Sequence, residues 1–237
     1  MNAKRPDLPQ ATTGAQAVDA FLRKVATLTP AAGDGRGRLV FALDATASRE
    51  PTWRAASAIQ EEMFLETSRL GGLDVQLVFY RGLGECKASR WLADADSLLA
   101  AMRRVECLGG RTQIGRVLAH VRGETARQRV GALVFVGDSM EEDVDHLCHI
   151  AGELGVLGVP VFLFHEGEDA RAGLAFAQIA KLSGGACCRF DSSSPAQLRA
   201  LLGAVAAYAA GGRAALVDYS KRAGGATLAL VDQMRGR

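Results

Sequence analysis

Four short runs along the chain are apolar from end to end or nearly so: 39–43 (LVFAL), 75–79 (VQLVF), 132–136 (ALVFV) and 159–164 (VPVFLF). Each is rich in Val, Leu and Phe, the pattern of a strand buried on both faces. Between them, apolar residues return every three or four positions. Residues 52–70 align Trp53, Ala56, Ile59, Met63 and Phe64. Residues 112–127 align Ile114, Val117, Leu118 and Val121, and residues 141–154 align Val144, Leu147, Cys148 and Leu154. These are the stripes of amphipathic helices. Alternating strands and helices of these lengths predict an α/β fold. The expected architecture is a Rossmann-like three-layer sandwich, with a mostly parallel sheet of about six strands and helices on both faces.

Two weaker strands complete that sheet. The polar segment 86–91 (CKASRW) suits a short antiparallel edge strand. Residues 186–190 follow the turn signal Gly184-Gly185. A helix over 195–209 has Ser194 to cap it and Pro195 in its first turn. Residues 14–28 place Val18, Phe21, Leu22, Val25 and Leu28 on a helical stripe that stops before Pro30. The segment AAGDGRGR that follows reads as a linker. The chain thus divides into an N-terminal helix and linker (1–37), a main domain (38–210) and a basic tail (211–237). The tail's echo, GGRAALVD at 211–218 and GGATLALVD at 224–232, is too short for a repeat architecture.

The 237 residues are 49% hydrophobic and 23% charged, ordinary for one large globular domain. No apolar run approaches the roughly 20 residues that span a bilayer. After Lys4-Arg5 there is no apolar segment of a secretory signal, so a cytoplasmic location is expected. Five cysteines are an odd count in a large chain, which speaks against a disulfide framework. The net charge of +2 is uneven: residues 1–38 hold 6 basic and 3 acidic groups, and 211–237 hold 5 and 2. Basic ends around an acidic body with few aromatics read as solvated tails, not as a nucleic-acid surface.

In an open parallel sheet, ligands bind beyond the carboxyl ends of the strands. After the first apolar run comes Asp44-Ala45-Thr46-Ala47-Ser48. After the run at 132–136 comes Gly137-Asp138-Ser139, and before the helix at 112 comes Gly109-Gly110-Arg111-Thr112. Two carboxylates and three hydroxyls therefore face one rim. All five offer oxygen, the donor that Mg²⁺ prefers, and none offers sulfur or imidazole. Alternation in D-x-T-x-S puts Asp44, Thr46 and Ser48 on one side of an extended loop.

These residues resemble the metal-ion-dependent adhesion site of von Willebrand factor type A domains, written D-x-[ST]-x-S, then a distant Thr, then a distant Asp. Here the set is Asp44, Thr46, Ser48, Thr112 and Asp138, and the resemblance spans roughly 38–210. It implies a bacterial-type cytoplasmic member of that family. It also implies direct coordination of Mg²⁺, or Mn²⁺, by Thr46 and Ser48. Thr112 would bind directly or through water. Asp44 and Asp138 would act mostly through water and hold the hydroxyls. One position would stay open for an Asp or Glu of a protein partner, drawn by the field of an ion held largely by neutral groups. The chain departs from the pattern in having Thr46 for the commoner Ser, and Gly-Asp-Ser for the commoner Thr-Asp-Gly.

A second resemblance, to haloacid-dehalogenase-type phosphohydrolases, would make Asp44 a nucleophile, with Mg²⁺ on Asp44, Asp138 and Asp143. It lacks the lysine that family needs between the two acidic motifs: none occurs between Lys87 and Lys181. Nucleotide cradles and a G-x-S-x-G elbow are absent. No catalysis is expected. Ser139-x-x-Glu142 reads as a capping box for the helix that follows. His146, Cys148 and His149 read as a helix face, and Cys187-Cys188 as neighbours facing opposite sides of a strand.

Overall fold

A computed structural model of the chain describes residues 36–60, 63–65, 72–190 and 195–222. The helix expected at 14–28 lies outside them. Six strands form one sheet: β1 (Gly37–Asp44), β2 (Leu73–Arg81), β3 (Glu85–Ala88), β4 (Ala132–Gly137), β5 (Val161–Glu166) and β6 (Ala186–Phe190), in the order β3-β2-β1-β4-β5-β6. All neighbours run parallel except β2 and β3. The predicted fold class, including the antiparallel edge strand, is the observed one.

Side chains of β1 alternate between two cores. Leu39, Phe41 and Leu43 face one layer, built from α1 (Glu50–Ile59), α2 (Ala95–Met102) and α6 (Pro195–Arg222). Val40 and Ala42 face the other, built from α3 (Ile114–Arg127), α4 (Val144–Val156) and α5 (Ala170–Leu182). Each fully buried Leu or Phe in these layers stabilises the fold by roughly 1.5–3 kcal/mol. Cys188 joins the first core while Cys187 packs against the second, as their adjacency on a strand requires.

Several boundaries moved for local reasons. β5 starts at Val161, not Val159, because Pro160 has no N–H for a ladder; its carbonyl instead accepts the Leu133 N–H at 3.0 Å. β3 stops at Ala88, short of the expected Trp91. There the Ser89 hydroxyl accepts the Leu77 N–H at 3.0 Å, taking a place that backbone would have filled. Two helices escaped the sequence reading, α2 and α5, each capped by an Asp: Asp94 accepts from Ser97 N, and Asp169 from Arg171 N and Ala172 N. Helix α6 continues to Arg222, with a non-helical break at Gly212 (φ 65°).

The strand order has one consequence for function. From β1 the chain winds outward to β2 and β3, then crosses back to β4 and winds the other way. The connections leaving β1 and β4 diverge and open a crevice between their carboxyl ends. Asp44 is the last residue of β1, and Asp138 directly follows β4.

Candidate functional site

Hydrogen bonds join four of the five predicted residues across this crevice. Asp44 is buried, 2% exposed. Its Oδ1 accepts the Thr46 N–H at 2.7 Å and its Oδ2 accepts the Tyr80 hydroxyl at 3.0 Å. The Thr46 and Ser48 hydroxyls lie 3.4 Å apart, and Ser48 Oγ donates to Asp138 Oδ2 at 3.2 Å. Ser139 Oγ donates to the other oxygen, Oδ1, at 3.3 Å.

The loop is extended only as far as Thr46 (φ −71°, ψ 162°); from Ala47 it turns into a single 3₁₀ turn, Ala47–Arg49. Strand alternation therefore ends at Thr46, and the turn is what returns Ser48 toward Thr46. Neither hydroxyl caps a helix. Thr46 makes no side-chain cap bond, and the N-cap of α1 is Arg49.

Thr112 reaches the same rim by another route. Its hydroxyl accepts the Glu141 N–H at 3.1 Å, and its own N–H donates to the Glu141 carboxylate at 3.3 Å. It is thus fastened to the loop that Asp138 begins. Gly110 makes this approach feasible: a Cβ there would sit 2.2 Å from the Gly82 carbonyl oxygen.

The expected Ser139–Glu142 capping box does not form. Asp143 caps α4, accepting the His146 N–H at 2.8 Å. Glu142 reaches across to α3 instead, where its oxygens accept the N–H groups of Ile114 (2.5 Å) and Gly115 (2.9 Å). An acid at the N-terminus of another helix satisfies the same orphan donors and dipole as a local cap. It also explains why α3 begins at Ile114 rather than at Thr112.

Arg49, Glu166 and Tyr80 join this network but were not predicted. Arg49 is buried with its guanidinium between Asp138 Oδ2, at 3.2 Å from Nη1, and the Glu166 carboxylate, paired with Nη2. Its Nη2 also donates to Thr52 Oγ1 at 2.6 Å, and the Thr52 hydroxyl donates to Glu166. Glu166 ends β5 just as Asp44 ends β1. Applying the strand-end rule to β5 would have found it.

The electrostatics follow from burial. Loss of water pushes the Asp44 carboxyl above its ordinary 3.8; the bonds from Thr46 and Tyr80 pull it back, and the charge of Asp138 pushes it further up. Burial first, and Asp44 second, raise the Tyr80 phenol well above 10.0, so Tyr80 is a fixed donor.

The phosphohydrolase arrangement is not favoured. Both oxygens of Asp44 are engaged by Thr46 and Tyr80, and Asp143 is spent on the α4 cap. His146 and His149 are exposed on α4. Among the described residues, no group of three or more His, Cys, Asp or Glu side chains is placed to hold a metal ion. The candidate set is of another kind, two carboxylates with three hydroxyls, whose all-oxygen chemistry suits a hard cation.

Solved structures share this architecture. The VWA domain of SpRpn10 superposes with a TM-score of 0.54 at 16% identity, over 70% of this chain and 94% of that one. This is a von Willebrand factor A fold. A proximal thread matrix protein from the mussel byssus matches at a TM-score of 0.58 and 14% identity, over 73% of this chain but only 46% of that one. A further structure of the mussel protein, with zinc in its MIDAS motif, matches at 0.57. No family model and no curated protein matches the sequence. At these identities the A fold is shared, and the chemistry of the rim rests on this chain's own residues. Among the described residues, no helix of this A-fold chain is long and apolar enough to cross a membrane.

Proposed function

We propose that this chain is a protein-binding module whose rim takes a divalent cation, Mg²⁺ or Mn²⁺, and through it an Asp or Glu of a protein partner. The observation that carries the reading is the unbroken link Asp44–Thr46–Ser48–Asp138 across the crevice, built with hydroxyls that cap no helix. Thr46 and Ser48 would hold the ion directly, and Thr112 directly or through water. Asp44 and Asp138 fix the two hydroxyls and balance charge. When bound, the ion supplies a positive field with one position open to a carboxylate. Tyr80 and the Thr46 N–H keep the Asp44 oxygens in place, and Glu141 keeps Thr112 at the rim. The commitment of the Asp44 oxygens supports binding over catalysis.

Calorimetric titration of Mg²⁺ and Mn²⁺ into the parent chain and Asp44→Ala tests this. The expectation is saturable binding to the parent that disappears in the variant. Capture of the partner should then be abolished by a chelator. Equal binding to both chains would remove Asp44 from the site and sink the reading.

A further inference from the structure

The rim already contains a cation of its own. The Arg49 side chain is 5% exposed, and its guanidinium joins carboxylates from two strand ends, Asp138 after β4 and Glu166 in β5. Thr52, in the first turns of α1, bonds both Arg49 and Glu166 and fixes the direction of the fork. The other acids of the region are engaged elsewhere: Glu141 with Thr112, Glu142 with the N-terminus of α3, Asp143 with that of α4. Asp44, Asp138, Glu166 and Arg49 carry three negative charges and one positive. Their sum of −2 equals in size the charge of a divalent ion. The positive charge, however, rests on an oxygen of Asp138, one of the groups the ion would use.

A guanidinium in that place acts on an incoming ion in two opposing ways. It orients Asp138, which assists binding. It also repels a second cation and withdraws charge from Asp138, which hinders binding. At a few ångströms in a partly buried site, repulsion between unit charges exceeds what rotamer restriction of one part-exposed Asp can offer.

We propose that Arg49 is the resident cation of the rim: it compensates Asp138 in the metal-free chain, and a divalent ion binds against it. Glu166 is the device that makes this tolerable, because it draws off part of the guanidinium's charge. Arg49 is thus a positioning residue that keeps the rim assembled without metal and sets the metal affinity low. The proposal rests on the divalent-ion reading above.

The test separates repulsion from stapling by sign. Mg²⁺ and Mn²⁺ are titrated by calorimetry into the full chain, Arg49→Lys, Glu166→Gln and the pair Arg49→Met with Glu166→Gln, each checked for folding by melting in chelator. The pair variant leaves the local net charge unchanged and keeps an acceptor for Thr52. It should bind about tenfold more tightly, the size expected when a nearby unit charge, partly offset by Glu166, is removed. Glu166→Gln alone leaves the guanidinium charge undivided and should bind several-fold more weakly. Arg49→Lys keeps the charge and should stay within about twofold of the parent. Weaker or unchanged binding in a folded pair variant would make Arg49 a staple and overturn the proposal. If that variant does not fold, unchanged affinity in Glu166→Gln overturns it instead. A silent parent with binding that emerges in the pair variant supports it. Silence in every folded variant removes the divalent reading and this inference together, whereas binding to the parent with no change in any variant removes this inference alone.

Discussion

The ends of β1 and β4 each present an aspartate to the same crevice, and the fold treats the two differently. Asp44 is buried and held by neutral donors, the Thr46 N–H and the Tyr80 hydroxyl. Asp138 is part-exposed and held by a guanidinium with two serine hydroxyls, Ser48 and Ser139. The cause is topological. Asp44 ends a strand packed between β2 and β4, so its donors come from the neighbouring strand and from the loop that directly follows it. Asp138 lies on a loop beyond its strand, where an arginine from the first turn of the next layer can meet it. Neutral hydrogen bonds leave the Asp44 charge in place and poorly solvated; the guanidinium, shared with Glu166, offsets part of the Asp138 charge. On the proposed reading, a divalent cation would find the less compensated carboxylate at β1 and a hydroxyl anchored to a carboxylate at β4.

Breaking the ionic side should have the largest effect. Arg49→Met strands both Asp138 and Glu166 without their cation and should cost about 3 kcal/mol of stability, measured by denaturant unfolding in chelator. A loss below about 1 kcal/mol would mean that water compensates Asp138, and the contrast with Asp44 would disappear. The neutral side should give less. Tyr80→Phe removes one donor from a buried carboxylate and should cost about 1–2 kcal/mol. Ser48→Ala, a donor lost from the part-exposed Asp138, should cost no more than about 0.5 kcal/mol. Equal costs for these two would contradict the difference in burial on which the comparison rests.

Proton linkage offers the smallest and most selective probe. His165, in β5 and in register with Gly137, is buried and its Nε2 has no partner among the described residues. Burial lowers its pKa below the ordinary 6.5, and does the same to His120. The unfolded chain then binds protons more readily than the folded one. Their contribution is intact above about pH 6.5 and is lost as pH falls through the lowered folded values. Asp44 works in the opposite sense. Its raised pKa lets the folded chain keep a proton longer, so stability rises as pH falls from that raised value toward 3.8. Melting temperatures in chelator across pH 4–7 should therefore dip and then flatten, with the dip reduced in His165→Leu and the flattening lost in Asp44→Asn. A dip that is unchanged in His165→Leu would assign it to other groups.

The sequence by itself determined the sheet and most of its helices, because burial on both faces writes itself as unbroken apolar runs and burial on one face as a stripe. It also placed Asp44, Thr46, Ser48 and Asp138 at two strand ends, since a parallel strand's last residue has only one rim to face. Asp94 and Asp169 stood in the sequence as cap signals for the two helices that went unread; the apolar content after each is rich in alanine, which makes a stripe hard to see. Other features had no local signature. Glu142 follows Ser139 at capping-box spacing, yet it caps a helix 28 residues earlier in the chain, while Asp143 caps its own. Arg49 looks like a solvated residue beside a motif, and Tyr80 like one more apolar position in β2. Only the packed sheet puts a guanidinium between Asp138 and Glu166 and a phenol on Asp44. Pairings between groups far apart in the chain depend on distance in space, and the tertiary structure alone sets that distance.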